Sequence, residues 1–444
     1  MNKSGNLEHI RNRAKKVMVG GVSAEWNYHG DGTLYFESAD GMRLTDIEGH
    51  EYIDYMAGHS SIMLGHSHPV IEEAISRAAK KGFGCQCETE SHIELAEIIC
   101  DVVPCAEKVR LSNTGTEATL NAIRLARCYT GRDLIVKFEG NFHGLHDYVL
   151  FSTDLSPEIG ERHDDGSIEP IHGSGGVPDR IDQLTITLPY NDVSAFERVM
   201  ELRGKDVAAV ILEPIAFNMG YVPAEMPFLN ALRVLTEEHQ SVLIFDEVIT
   251  GFRVALGGAQ ELLSITPDLA CFGKALGGGA PIAAVVGRQH IMDHLTPLGD
   301  ATMSGTNTGR WLTVEVTLAV LKEYCKDGFY GKLSQNQSTL INGMREIVKT
   351  HDVPAFIGGE GGCIGVYFGL TSQPRNLREI YSQWNEDYTR KISGDMLNDF
   401  RVFGFARAVS RHPERISVSW AHSAHDIEFT LDSFEKVVRR HPYT

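Results

Sequence analysis

Short segments in which apolar and polar residues alternate run over 34–55 and are broken by Asp40-Gly41 and Glu48-Gly49. That spacing predicts a meander of short antiparallel strands, because acid-glycine pairs favour tight turns. Beyond His68-Pro69 the pattern changes. Apolar runs at 109–111, Leu134–Phe138, Val207–Leu212, 242–245, Leu269–Phe272 and 282–286 are separated by stretches of helical periodicity. Runs that are apolar on both faces, joined through helices, predict right-handed crossovers and a mostly parallel sheet covered on both sides. A helix signal ending near Lys326-Asp327-Gly328 is followed by strand candidates at Cys363–Phe368 and 416–420, as in a smaller α+β unit. The expected division is an N-terminal segment over 1–64, a large α/β domain over 65–325 and a C-terminal segment over 326–444. Near the end, Ser423 with Asp426 reads as a capping box, and Ile427, Leu431, Phe434 and Val438 share one helical face.

Composition narrows the function. A chain of 444 residues with 42% hydrophobic and 23% charged content can bury a large core, and its formal net charge of -18 argues against a nucleic-acid partner. The opening residues carry no apolar core of signal-peptide length, and no apolar run reaches membrane-spanning length, so a soluble cytoplasmic protein is expected. Eight cysteines are scattered along the chain. The close pair Cys85 and Cys87 lacks the second Cys or His pair of a zinc site, so no metal centre is expected.

Four motifs carry chemistry, and each follows an apolar run. The run beginning at Val242 ends in Asp246-Glu247-Val248, placing carboxylates where the crevice of an open α/β sheet lies. Twenty-eight residues after Asp246, Gly273-Lys274-Ala275-Leu276-Gly277-Gly278-Gly279 puts a lysine among glycines at the same sheet edge. Desolvation there lowers an ammonium pKa and favours the neutral amine that attacks an aldehyde. Gly115 and Thr116 in Ser112-Asn113-Thr114-Gly115-Thr116-Glu117 open a helix containing Ala118, Ala122, Leu125, Ala126 and Tyr129, and the N–H groups of a helix start seat a phosphate. Glu139-Gly140-Asn141-Phe142-His143-Gly144 brings an aromatic ring able to stack on a planar group, and an imidazole. Singly, each motif is as well read as a cap, a solvated side chain or core. Together they supply an amine, a carboxylate, a phosphate seat and a stacking ring.

In order and wording these motifs resemble the class III pyridoxal-phosphate aminotransferases, the omega or subgroup II family, and most closely the glutamate-1-semialdehyde 2,1-aminomutase branch, from about Gly20 to the C-terminus. The resemblance implies fold type I: a large domain with a mostly parallel seven-stranded sheet, and a smaller α+β domain formed by the N- and C-terminal segments. It implies pyridoxal 5'-phosphate as cofactor, with Lys274 as the Schiff-base lysine and Asp246 as partner of the pyridine nitrogen. It further places Val248 under the ring face opposite Phe142, with His143 beside it, Gly115 and Thr116 at the phosphate, and Asn218 near the phenolic oxygen. The family completes the phosphate cup with a threonine of the neighbouring subunit, which matches Thr306, so a homodimer with a shared active site is implied. The reaction implied is ping-pong transfer between a small-molecule amino donor and a keto or aldehyde acceptor. An aminomutase, a racemase or a decarboxylase stands as the alternative on the same fold, and a non-catalytic binding protein as the rival class. Gly277-Gly278-Gly279 lacks the spacing of a dinucleotide fingerprint.

The departures from that pattern fall on the substrate side. Where the aminomutase branch carries a serine and an arginine for the substrate carboxylate, this chain has Ala24 and Asn27; the arginine that ornithine and 4-aminobutyrate aminotransferases carry in a late strand aligns with Ser417. A bidentate guanidinium is the usual carboxylate anchor. Glutamate 1-semialdehyde is therefore not the expected substrate. Arg411 and Arg415 read as solvated surface residues, while Glu25, Trp26, Asn27, His59 and Glu414 are candidates to line a pocket for a cationic or bulky amine.

Overall fold

The computed structural model describes residues 4–82, 87–153, 156, 158–405 and 415–443. Strands β1 (Phe36–Asp40), β2 (Arg43–Asp46) and β3 (Glu51–Asp54) form the antiparallel meander that the alternation predicts. The larger sheet uses β4 (Lys108–Ser112), β5 (Leu134–Phe138), β6 (Thr185–Leu188) and β7 (Val207–Leu212). After a two-stranded ribbon of β8 (Ile215–Ala216) and β9 (Val222–Pro223), the same sheet takes β10 (Val242–Glu247), β11 (Leu269–Phe272) and β12 (Ala283–Gly287). Its order is β4-β12-β11-β10-β7-β5-β6, with β12 antiparallel to both neighbours and the other pairings parallel.

Every residue of β5, β7, β10, β11 and β12 is buried, which is why these strands read as continuous apolar runs rather than alternating ones. The helix Gly115–Thr130 covers one face through Ala118, Ala122, Leu125 and Ala126, all at most 1% exposed. Tyr129 of the same helix is 37% exposed and sits against the rings of His290 and His294.

A third sheet is built from β13 (Ala355–Glu360), β14 (Cys363–Phe368) and β16 (Arg415–Ser417), while β15 (Val402–Phe403) runs parallel to β3 and extends the meander. Ile53 and Tyr55 share one apolar core with Leu340, Ile364, Ile392 and Phe434, so the two ends of the chain are packed together. The final helix, Ala424–Arg440, starts on the expected capping box: Ser423 N donates to Asp426 Oδ2 at 2.9 Å, and Asp426 N to Ser423 Oγ at 3.1 Å. A cap of this kind contributes about 1 kcal/mol. No helix among the described residues is long and apolar enough to cross a membrane.

Candidate active site

At the end of β10 the strand's alternation separates two neighbouring acids. Glu247 turns away from the crevice and accepts from Thr250 Oγ1 (2.8 Å), Ala259 N (2.5 Å) and Gln260 Nε2 (3.0 Å), tying the chain at 259–260 to the sheet. Asp246 faces a cavity of about 330 Å³. Its Oδ1 accepts from Val248 N at 3.0 Å, and its Oδ2 lies 2.8 Å from His143 Nδ1. Burial lowers the pKa of His143 while the Asp246 carboxylate opposes the fall. The neutral imidazole therefore carries its proton on Nδ1 and donates it to Asp246. His143 Nε2 is buried and has no hydrogen-bond partner among the described residues.

Lys274 follows β11 with φ of 44°, one of few non-glycine residues in the left-handed region. That conformation costs roughly 1–2 kcal/mol and clusters at functional positions. The turn around it is tight: a Cβ on Gly278 would stand 2.6 Å from Val320 Cγ2. Burial first, and the Arg415 charge second, lower the lysine pKa from 10.5 to about 8, against the opposing pull of Asp246 and Glu213. The amine faces the same cavity as Asp246.

The helix Gly115–Thr130 begins at the cavity wall, where Thr114 caps it by accepting from Glu117 N at 3.1 Å. The amides of Gly115 and Thr116 precede the first intrahelical hydrogen bonds and are left for an anion. Gly115 is a glycine because Val248 presses on it: a Cβ there would lie 2.9 Å from Val248 Cγ1. The same crowding holds at Gly144, whose Cβ would meet Thr116 Cα at 2.7 Å, with φ of +101°.

Gly115, Thr116, Phe142, His143, Asn218, Asp246, Val248 and Lys274 thus line one cavity, although they come from five separate segments. Its donor set suits a phosphorylated aromatic aldehyde: a helix start for the dianion, apolar Val248 and Phe142 for a ring, a carboxylate and an amine. Glu213 is a wall residue that the sequence reading did not single out. It accepts from Phe142 N at 2.9 Å and thereby positions the aromatic segment. The signal was the one used for Asp246, an acid at the end of a buried strand.

The substrate candidates lie elsewhere. Trp26, Asn27 and His59 line a second cavity of about 500 Å³, with the Trp26 and His59 rings 6.4 Å apart edge to face. Glu25 is exposed, and Glu414 and Arg411 lie outside the described residues. Thr306 is exposed and is not part of the 330 Å³ cavity of its own chain. Arg415 corrects the expectation of a solvated surface residue. It is half-buried, its Nε donating to Ser60 Oγ at 2.8 Å and its Nη1 to the Phe217 carbonyl at 3.1 Å.

The family described as aminotransferase class-III matches residues 27–438. The chain belongs to that family. A glutamate-1-semialdehyde 2,1-aminomutase of Polynucleobacter asymbioticus is 39% identical over 442 residues, 98% of this chain and 99% of the relative. Among solved structures, an omega-transaminase from Sphaerobacter thermophilus superposes with a TM-score of 0.89 at 28% identity, covering 98% of this chain and 97% of the other. A transaminase with PLP bound follows at 0.87 and 26% identity, covering 99% and 98%. The seven-stranded, mostly parallel sheet of this class-III protein is the architecture these relatives share.

Proposed function

We propose that this class-III enzyme holds pyridoxal 5'-phosphate in the 330 Å³ cavity and moves an amino group from a small-molecule donor to a keto or aldehyde acceptor in two half-reactions. The observation that carries this reading is the meeting of Lys274 and Asp246 in one cavity with a helix N-terminus. The bound cofactor supplies an aldehyde that takes up the amino group and a pyridinium ring that withdraws electrons from the substrate carbon. The remaining work falls to side chains of this chain.

Gly115 N, Thr116 N and the Thr116 hydroxyl would hold the phosphate, and Val248 and Phe142 would flank the ring. Asp246 would pair with the ring nitrogen and favour its protonated form, while His143 donates to Asp246 Oδ2 and fixes the direction of that carboxylate. Asn218 would hydrogen-bond the ring's phenolic oxygen. Lys274 would be the attachment point for the aldehyde, and its amine, once free, would take up and give back the proton of the substrate carbon. A pKa near 8 keeps a sizeable neutral fraction at neutral pH, which an ordinary lysine lacks.

The enzyme works as a cytoplasmic homodimer in this reading, with Thr306 of each protomer completing the phosphate cup of its neighbour. The exposed position of Thr306, which does not line the cavity of its own chain, supports that arrangement. Asn27 and Ser417, in place of arginines, favour a substrate other than glutamate 1-semialdehyde. The second reading, an aminomutase, is favoured by the name of the Polynucleobacter relative. Turnover of an amine by purified holoenzyme, with and without an added keto acid, separates the two. Amino transfer requires acceptor in stoichiometric amount; turnover without acceptor gives the mutase.

A further inference from the structure

Two residues just past the cradle strands have left-handed backbone. Phe252, in the loop after β10, has φ of 57°, and Lys274, after β11, has φ of 44°. Such a conformation on a residue with a side chain persists where its surroundings enforce it. One corner of the fold reaches both places, where the helix Trp311–Tyr324 gives way to the helix Phe329–Thr350. Tyr330 of the second helix donates its hydroxyl to the Phe252 carbonyl at 2.8 Å, and Tyr324 of the first donates to the Ala275 carbonyl at 3.0 Å.

Ala275 is the residue after Lys274. Its carbonyl also accepts from Gly278 N at 3.1 Å, and Leu276 N donates to the Gly273 carbonyl at 2.9 Å, so the turn closes on itself around the lysine. Those bonds set the shape of the turn, and the hydroxyl of Tyr324 ties it to another element. One helical turn before Tyr324, Val320 packs on the same segment, its Cγ2 2.6 Å from where a Cβ on Gly278 would lie. One face of a helix thus touches the lysine turn twice, by a hydrogen bond and by packing.

The tyrosine is itself held. It is 1% exposed, and its ring lies 4.9 Å from that of Phe329. Burial raises its pKa, so the phenol stays a donor at neutral pH. A lysine side chain is a flexible four-carbon stem whose one fixed end is its Cα. Where the Lys274 amine can reach is therefore decided by where the backbone at 274 is docked.

We propose that Tyr324 is a positioning residue for Lys274: its hydroxyl, with Val320 beside it, docks the lysine turn so that the amine meets the cofactor's aldehyde. Tyr324 does not line the 330 Å³ cavity and acts only through the turn. This rests on the cofactor reading above and deepens it.

The test uses the difference between the two forms of the cofactor. In that reading pyridoxal 5'-phosphate bonds to Lys274, whereas pyridoxamine 5'-phosphate, with an amine in place of the aldehyde, depends on the phosphate seat, the ring walls and Asp246. Both are titrated against the full chain, freed of cofactor, in wild type, Tyr324→Phe and Tyr330→Phe. Tyr324→Phe is expected to lower affinity for the aldehyde form about 10-fold and to slow its attachment by a similar factor, with affinity for the amine form changed less than about 2-fold. Tyr330→Phe removes the matching bond at Phe252 and is expected to leave the ratio of the two affinities where it is. Equal losses for both forms in Tyr324→Phe, or the same change of ratio in Tyr330→Phe, overturn the proposal, because the corner is then a general support. Should Tyr324→Phe not fold, Val320→Ala replaces it, with the ratio expected to shift the same way by about 3-fold and an unchanged ratio overturning the proposal. Failure of the aldehyde form to attach to Lys274 in wild type defeats the cofactor reading itself; attachment in wild type with an unchanged ratio in the variant defeats only the role of Tyr324.

Discussion

The cofactor cradle and the substrate side are assembled by different means. The cradle takes Asp246, Lys274, Glu213 and the Gly115 helix from the ends of strands in one sheet, so the edge of that sheet brings them together. The candidate substrate side takes Trp26 from a three-residue helical turn and His59 from a left-handed turn. Sheet edges preserve chemistry because moving one residue disturbs a packed core. Loops and short strands are freer to change, and there fall the expected departures from the family pattern at Asn27 and Ser417.

The contrast predicts that substitutions in the cradle abolish reaction on every donor, whereas those on the substrate side shift the choice among donors. Lys274→Ala gives the largest effect, a loss of kcat of at least about 10⁴-fold, since both attachment and proton transfer go with it. Asp246→Asn follows, with a loss on the order of 10² to 10³-fold for all donors alike, measured as single-turnover rates. Selectivity that changed under Asp246→Asn would break the division between the two regions. Gly115→Ala is expected to weaken cofactor binding about 10-fold by overpacking against Val248, and Val248→Ala in the same chain to restore part of it. Fluorescence titration of apoenzyme reads both.

The smallest effect is a pH shift. Attachment of cofactor to apoenzyme needs the neutral amine, so its rate rises with pH and levels off above about 8, where an ordinary lysine at 10.5 would still be rising. Arg415 depresses that pKa and Asp246 raises it. Removing the first charge moves the midpoint up, and removing the second moves it down.

The cradle was legible in the sequence because apolar runs are contiguous and each motif follows one. Five strands were not: the two-residue Ile215–Ala216, Val222–Pro223 and Val402–Phe403, and two longer ones. Thr185–Leu188 is four residues with two threonines at a sheet edge, and Ala355–Glu360 carries two glycines and is held by its pairing with Cys363–Phe368. Glu213 carried the same strand-end signal as Asp246 and went unused. Arg415 was misread for a deeper reason: its environment is made by Ser60, 355 residues away in the chain, and by Phe217, 198 away. Periodicity and local spacing hold no record of such contacts. Trp26 and His59 are closer in sequence, yet their shared cavity is likewise a product of the tertiary fold.

The most direct test of the account is chemical. Borohydride reduction of the holoenzyme followed by peptide mass mapping should place the reduced cofactor on Lys274, with no label in Lys274→Ala. Label on another lysine, or undiminished labelling of Lys274→Ala, would contradict the cradle as drawn.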